Sequence, residues 1–149
     1  MREKLRVGFV GTGAIARSSH MPGWLKLSDC EIVALCDISK EAAAAAAELT
    51  KVAKSHIYSD YEQMLAAEDL DIVDVCTPNR FHAPPTIAAL ETGCHVMVEK
   101  PVATSADEVR AMIAARDKSQ KLLCVVQNMR FSAEAIAAKR FVEQGGIGL

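Results

Sequence analysis

Several features that would indicate a specialised class of protein are missing from this sequence. Aromatic residues make up only 5% of its 149 residues. No apolar run approaches the ~20 residues that a membrane-spanning helix needs. Acidic and basic residues are mixed along the chain and leave a net charge of −2, without the concentrated basic surface that nucleic acid or an anionic membrane requires. We therefore expect neither nucleic acid nor a membrane as a partner.

The cysteines also lack the patterns of a disulfide framework or a metal site. Their number is odd, and none has Cys-x-x-Cys or Cys/His ligand spacing: Cys30, Cys36, Cys76, Cys94 and Cys124. Three of them, Cys36, Cys76 and Cys124, lie in apolar runs, where cysteine behaves as a small hydrophobic residue. The short apolar run that follows the first residues is too brief for a signal peptide. We expect reduced thiols, no metal and a cytoplasmic protein.

The chain does contain a regular alternation of short apolar runs with helix-forming segments. The apolar runs predict strands at residues 5–10, 31–36, 72–76, 95–98 and 122–127, with a weaker one at 56–58. Several are apolar almost throughout, as strands covered on both faces are. Strands that alternate with helices predict right-handed crossovers and a doubly wound parallel sheet of the α/β class.

The intervening helices carry their own start and stop signals. Residues 41–54 include six consecutive alanines, and alanine is the best intrinsic helix former. Capping boxes are predicted for Ser59 with Glu62 and for Ser105 with Glu108, each pair satisfying free backbone N–H groups reciprocally. The remaining helices are expected at residues 81–92, 106–119 and 132–144.

The first predicted strand runs into a glycine-rich turn, Val10-Gly-Thr-Gly-Ala-Ile-Ala16. This is the GxGxxA form of the dinucleotide-binding fingerprint. Gly11 permits a tight turn, Gly13 lets the backbone approach a pyrophosphate, and Ala16 allows close packing of helix on strand. The phosphates would bind the N–H groups of Ala14 and Ile15 at the start of the following helix.

Asp37 ends the second predicted strand, where the fingerprint places an acidic residue. Its carboxylate would accept hydrogen bonds from the adenosine ribose hydroxyls, and it can also cap the helix that follows Ser39. Because a carboxylate repels a 2′-phosphate, we expect NAD in preference to NADP. Lys40 and Arg17 lie close enough in sequence to keep NADP open.

A polar segment follows the fourth predicted strand: Thr77, Pro78, Asn79 and His82. Ligands of open α/β sheets bind outside the carboxyl ends of the strands, where strand order reverses. In the order 3-2-1-4-5-6, strands one and four flank that crevice, so this segment should face the nicotinamide half of a dinucleotide. Alternatively, Asn79 caps a helix and His82 lies at the surface of its first turn.

Glu99-Lys100-Pro101 follows the fifth predicted strand and should lie at the same edge. Partial burial of Lys100 beside a bound cofactor would disfavour its charged form and suit it to proton transfer, whereas Glu99 would stabilise the cation. From the residues alone, a surface ion pair ahead of a helix explains this segment as well as a catalytic lysine does.

Together these segments resemble the N-terminal domain of the glucose–fructose oxidoreductase/inositol dehydrogenase/MocA (Gfo/Idh/MocA) family of NAD(P)-dependent oxidoreductases, a Rossmann-type fold. The resemblance is carried, in chain order, by residues 8–16, 34–37, 76–79 with His82, 93–101, 127–131 and 146–148. The Glu-Lys-Pro segment after a Gly-x-His-Val strand is its most specific part.

The resemblance implies roles for these residues. Lys100 would be catalytic, lying at the nicotinamide ring and moving a proton to or from the substrate, next to a cis Lys100–Pro101 peptide. Four residues would line the cofactor: Thr77, Asn79, His82 and Glu99. Arg130, after the sixth strand, would reach the same cleft, or else be only a cation that precedes a helix.

We expect residues 1–126 to form the dinucleotide-binding domain. Residues 127–149 would be a linker helix leading to a second, substrate-binding domain that this sequence lacks. The resemblance implies a homo-oligomeric NAD(P)-dependent oxidoreductase that transfers hydride between nicotinamide and a sugar, polyol or related small-molecule substrate. The alternative is a stand-alone, non-catalytic dinucleotide-binding or sensing module.

Overall fold

All six predicted strands are present in the computed structural model, which describes residues 3–148. They are Leu5–Val10 (β1), Cys30–Cys36 (β2), Ile57–Tyr58 (β3), Ile72–Val75 (β4), His95–Val98 (β5) and Leu123–Val125 (β6). Every neighbouring pair is parallel, and the order across the sheet is β3-β2-β1-β4-β5-β6. The predicted doubly wound sheet and its strand order are confirmed.

Helical segments connect each strand to the next. The α-helices are Met21–Trp24 (α1), Lys40–Thr50 (α2), Tyr61–Ala67 (α3), Ala83–Glu91 (α4), Ala106–Ser119 (α5) and Ala133–Glu143 (α6). A π-helical stretch, Ala16–His20, runs directly into α1. Short 3₁₀ turns occupy Lys54–His56, Asn79–Phe81 and Asn128–Phe131. Among these described helices, none has the length and apolar character needed to traverse a bilayer.

Each face of the sheet has its own hydrophobic core. Val7 and Phe9 of β1 pack with Met21 of α1 on one face. On the other face, Val73 and Val75 of β4 pack with residues of α3, α4 and α5. Because successive side chains of a strand point to opposite faces, Asp74 lies on the same side as α1.

One predicted capping box is confirmed and the other is wrong. Ser105 Oγ accepts the N–H of Glu108 at 3.2 Å, and the Glu108 carboxylate accepts the N–H of Ser105 at 3.1 Å. At the other site the helix begins one residue later than Ser59 would place it. Asp60 is the cap, and its carboxylate accepts the N–H of Glu62 at 2.8 Å.

The five cysteines are free, as expected for reduced thiols, but their burial is not uniform. Four are buried, whereas Cys124 is exposed. Cys124 lies in an apolar run but not in the core, because β6 is the edge strand of the sheet and leaves the Cys124 side chain exposed.

Candidate active site at the carboxyl edge of the sheet

The carboxyl ends of the strands are aligned residue by residue along one edge of the sheet. Val10 pairs in register with Cys36 on one side and with Val75 on the other, and Val75 pairs with Val98. The residue that follows each of these strands donates its backbone N–H to the last carbonyl of a neighbouring strand, at 2.8–3.0 Å, so these residues are aligned as well. The first residues past the strands therefore form one row: Asp37, Gly11, Cys76, Glu99 and Val126. Sequence segments far apart in the chain are thus neighbours, as predicted.

The two glycines of the phosphate loop meet different constraints. Gly11 has φ of +88°, and a Cβ there would lie 2.6 Å from the carbonyl carbon of Cys76, so only glycine fits between β1 and β4. Gly13 is open, with nothing within 4 Å of its Cβ position among the described residues. The first glycine is required by the fold, and the second leaves room for a ligand.

The helical segment after the loop begins at Ala14 and continues through the π-helical stretch to Trp24. Ala16 is fully buried against the sheet, which confirms its predicted packing role. Within residues 3–148, the N–H groups of Gly13, Ala14 and Ile15 have no hydrogen-bond acceptor. Free N–H groups at the start of a helix bind anions, so the loop is ready to receive phosphate.

Asp37 is tied to the phosphate loop. Its Oδ2 accepts the N–H of Thr12 at 2.7 Å and the Thr12 hydroxyl at 3.0 Å, while Oδ1 accepts the N–H of Ser39 at 2.8 Å. The cap of α2 is Ser39 itself, whose Oγ accepts the N–H of Ala42. Asp37 is half-buried, and Oδ1 keeps a lone pair available for a ribose hydroxyl.

His82 has a different position from either one expected. It is fully buried, and its ring nitrogens lie 2.8 Å from the carbonyl oxygens of Thr77 and Pro101. Carbonyl oxygens only accept, so both contacts are hydrogen bonds when both ring nitrogens carry protons. The prediction that His82 lines the cofactor is therefore wrong, and so is the surface alternative. His82 ties the end of β4 to the turn after β5.

The remaining residues of that segment stay accessible at the edge. Thr77 is half-buried and its hydroxyl donates to the carbonyl oxygen of Phe81 at 3.0 Å. Pro78 and Asn79 are exposed beside it. Asn79 does not cap α4, which begins after His82 without a side-chain cap.

Glu99 and Lys100 are oriented in opposite ways. Glu99 is buried, Lys100 is exposed, and the Lys100–Pro101 peptide is cis, as the resemblance implied. Glu99 Oε2 accepts the backbone N–H of Lys100 at 2.8 Å, and Oε1 lies 3.0 Å from His20 Nε2. In the described part of the chain the Lys100 ammonium has no ion pair. The alternative interpretation of this segment, a surface Glu99–Lys100 ion pair, is therefore wrong, whereas the partial burial of Lys100 beside a bound cofactor stays a prediction.

A buried charge cluster, which the sequence interpretation missed, lies beneath Glu99. Asp74 is fully buried in β4, where it accepts Trp24 Nε1–H at 2.8 Å and lies 3.0 Å from His20 Nδ1. His20 therefore bridges two carboxylates, Asp74 and Glu99. A signal was present in the sequence, because an aspartate in the middle of an apolar strand needs a buried partner.

These carboxylates hold His20 as an imidazolium. The hydrogen bond that His20 donates to Asp74 raises the pKa of His20, burial lowers it, and the charges of Asp74 and Glu99 raise it further, giving a pKa of about 9 instead of 6.5. Burial and the adjacent Asp74 also raise the pKa of the Cys76 thiol, whose Sγ donates to Asp74 at 3.4 Å.

Donor atoms of His20, Asp74 and Cys76 lie within 4.8 Å of one another, close enough for a metal ion. Metal binding would remove protons from His20 and Cys76. The raised pKa of both groups opposes that loss. In the described structure these side chains are joined to one another by hydrogen bonds and form a charge network.

Arg130 is exposed in the 3₁₀ turn that follows β6. It is on the predicted edge, but β4 and β5 separate β6 from the phosphate loop of β1, a distance of about 14 Å at the usual strand spacing. Contact with the nicotinamide end of a ligand stays a prediction, as does its alternative as a cation preceding α6.

Residues 5–127 match the Gfo/Idh/MocA family, described as an oxidoreductase family with an NAD-binding Rossmann fold. The chain belongs to this family. The family resemblance found in the sequence is confirmed, and so is the predicted NAD-binding Rossmann fold.

Two relatives are similar to nearly all of this chain. It is 38% identical over 144 residues to D-glucoside 3-dehydrogenase of Escherichia coli K12, covering 97% of this chain and 40% of that protein. It is 31% identical to an α-N-acetylgalactosaminidase of Shewanella oneidensis, covering 98% and 33%. The chain therefore spans two-fifths or less of the length of these relatives.

A solved structure shows the same fold at high similarity. The WlbA dehydrogenase of Chromobacterium violaceum, in complex with NADH and UDP-GlcNAcA, matches with a TM-score of 0.89 and 35% identity. The match covers 97% of this chain and 41% of WlbA.

The loop geometry of this chain fits NAD, the cofactor of the family. The open face of Gly13 and the three free N–H groups suit the pyrophosphate, and Asp37 suits the ribose hydroxyls. The predicted cofactor, NAD, is confirmed.

Proposed function

We propose that this chain is the NAD-binding part of a dehydrogenase that acts on a sugar or polyol, with Lys100 moving the proton. The observation that carries the proposal is the position of Lys100. It follows Glu99, which lies in the same row as Gly11 at the carboxyl edge, and its exposed ammonium is free of ion pairs within residues 3–148. A lysine side chain without an ion pair, at the sheet edge that carries the phosphate loop, can exchange a proton with a substrate hydroxyl.

The other residues would divide between binding and orientation. Gly13, Ala14 and Ile15 would bind the pyrophosphate through their N–H groups, and Asp37 would bind the adenosine ribose. Thr77, Pro78, Asn79 and Arg130 would flank the nicotinamide half. NAD, when bound, supplies the hydride acceptor, and the chain's own acid–base group is Lys100.

The sugar class of substrate is supported by the relatives. D-glucoside 3-dehydrogenase is named for a sugar substrate, and the solved WlbA dehydrogenase is in complex with UDP-GlcNAcA. The similarity to an α-N-acetylgalactosaminidase favours a second candidate, cleavage of a glycoside, at the level of the whole protein. Both candidates place a sugar next to Lys100.

The proposal extends to the rest of the protein. Residues 127–149 would connect this domain to a substrate-binding domain, and the apolar side chains exposed on α6 would be covered there or in a homo-oligomer. These include Ile136, Phe141 and Val142. A cytoplasmic location is supported by the five free cysteines.

Fluorescence titration of this chain with NADH and NADPH tests the proposal. Saturable binding is expected, with NADH preferred. Asp37→Ala should weaken NADH binding by about tenfold, the loss of a charged hydrogen bond, and weaken NADPH binding less. Lys100→Ala should change both affinities by less than about threefold, because Lys100 serves the reaction and not the binding of the pyrophosphate.

In a full-length dehydrogenase that carries this domain, Lys100→Ala should abolish turnover with a sugar substrate. Lack of saturable binding of either dinucleotide would refute the cofactor site. Normal turnover by Lys100→Ala would refute only the role of the lysine. Glycoside cleavage without net oxidation would select the second candidate.

A further inference from the structure

His20 reaches Lys100 through one intermediate residue. Its Nε2 lies 3.0 Å from Glu99 Oε1, and Glu99 Oε2 accepts the Lys100 N–H at 2.8 Å. We propose that His20 is a positioning residue for Lys100, acting through Glu99; the functional meaning of this role rests on the proposed proton transfer by Lys100.

The first support is that the side chain of Lys100 makes no contact that would hold Lys100 in place in the described chain. That side chain is exposed and unpaired in the described chain, so its location depends on the backbone of residues 99–101. On the far side of Lys100, the Pro101 carbonyl oxygen accepts from His82 Nδ1 at 2.8 Å. On the near side, the restraint is Glu99. The peptide around Lys100 is therefore held at two points.

The second support is the cost of releasing Glu99. Its side chain is only 11% exposed, and a buried carboxylate without a partner is strongly unfavourable. If His20 did not meet Oε1, Glu99 would turn towards water and leave the Lys100 N–H. His20 thus decides which way Glu99 points.

The third support is that His20 is itself fixed. Its side chain is 6% exposed, and Nδ1 lies 3.0 and 3.1 Å from the two oxygens of Asp74. Trp24 Nε1 also donates to Asp74, at 2.8 Å. Nδ1 of the ring therefore bonds Asp74 in β4, and Nε2 bonds Glu99.

The groups that face His20 are two carboxylates and a thiol. Asp74 and Cys76 come from β4 and its end, and Glu99 follows β5. The imidazolium donates from both nitrogens at once, whereas neutral imidazole donates from only one. The connection from Asp74 to Glu99 therefore depends on the protonated form of His20.

Two amide substitutions distinguish the contact made by His20 Nδ1 from the contact made by His20 Nε2. The side-chain nitrogen of asparagine can replace Nδ1, so His20→Asn keeps the Asp74 contact and loses Glu99. The nitrogen of glutamine can replace Nε2, so His20→Gln keeps the donor to Glu99. At pH 7, His20→Asn should speed hydrogen exchange of the Lys100 amide roughly tenfold or more, while His20→Gln should stay within about threefold of wild type.

His56→Asn is the matched control, because His56 bonds Glu68 elsewhere in the protein and should leave the Lys100 amide unchanged. The proposal fails if His20→Asn leaves Lys100 exchange at the wild-type rate. It also fails if both His20 variants accelerate exchange equally and throughout the sheet, which would show a purely structural role.

A measurement on the wild-type chain does not depend on the folding of a variant. Carbon-detected NMR should show the Lys100 amide ¹⁵N shift changing with a midpoint near the pKa of His20, about 9. A flat profile would overturn the proposal. NADH added to the same sample should shift the Lys100 Nζ signal less in His20→Asn than in wild type. If NADH does not bind, the proposed function fails, while the amide result still tests His20.

Discussion

Gly11 and Gly13 belong to the same motif but have different surroundings in the structure. At Gly11 the positive φ and the backbone of Cys76, 2.6 Å from a Cβ, both come from the protein itself. At Gly13 the space above the residue is open. The fingerprint therefore combines a residue that the fold requires with a residue that leaves space open for a ligand.

Alanine substitutions should separate these two requirements. Gly11→Ala should lower the free energy of unfolding by about 2 kcal/mol or more, because Cβ meets the backbone just past β4, which cannot move without separating β1 from β4. Gly13→Ala should change it by less than about 0.5 kcal/mol but weaken NADH binding at least tenfold. Urea denaturation and NADH titration measure the two effects. Equal destabilisation by both substitutions would contradict this division.

The single residues of the site were partly predictable. Gly11, Asp37 and Lys100 could be placed at one edge because strand ends of a parallel sheet align there. The network of His20 could not, since it joins residues 54 and 79 positions apart in the sequence through side chains rather than strand order. His82 was misplaced for a similar reason, because its partner is a carbonyl oxygen in a turn after the next strand.

At the scale of the helices, the start of α3 can be tested directly. Asp60→Ala should lower the free energy of unfolding by about 1 kcal/mol, the usual value of an N-cap, because the N–H of Glu62 loses its acceptor. Ser59→Ala is the neighbouring control and should cost less than about 0.5 kcal/mol. Thermal or urea denaturation compares them. A larger loss from Ser59→Ala would restore the capping box predicted from the sequence.

Strand positions were easier to predict than helix ends. β1 and β5 have the predicted bounds, because continuous apolar runs reflect burial on both faces. The alanine-rich helix was predicted to reach residue 54 but ends at Thr50, since Lys51 adopts a left-handed conformation with φ of 64°. That conformation is usual for glycine and asparagine, so lysine gave no signal of a helix end.

For the molecule as a whole, His20 makes stability depend on pH above neutrality. Its pKa is about 9 in the folded chain and 6.5 in the reference state, so the folded state binds the proton more tightly. The stabilisation is complete below pH 6.5 and is lost as the pH rises through about 9. A shift of this size corresponds to roughly 3 kcal/mol at most.

Urea denaturation between pH 6 and 9.5 checks this linkage. Wild type should lose stability as the pH rises, whereas His20→Gln, which has no titrating ring, should show a flatter profile. Burial also raises the pKa of the Cys36 thiol, which acts in the same direction at higher pH but is common to both proteins. Parallel profiles for the two proteins would refute the assignment to His20.

The close approach of Gly11 to Cys76 also has a consequence for how this motif would change in evolution. A descendant domain that no longer bound a nucleotide would still need the first glycine, because the neighbouring strand leaves no room for a side chain. The second glycine would be released from selection and free to drift. The first glycine would thus report the fold, and the second would be the better indicator of nucleotide binding.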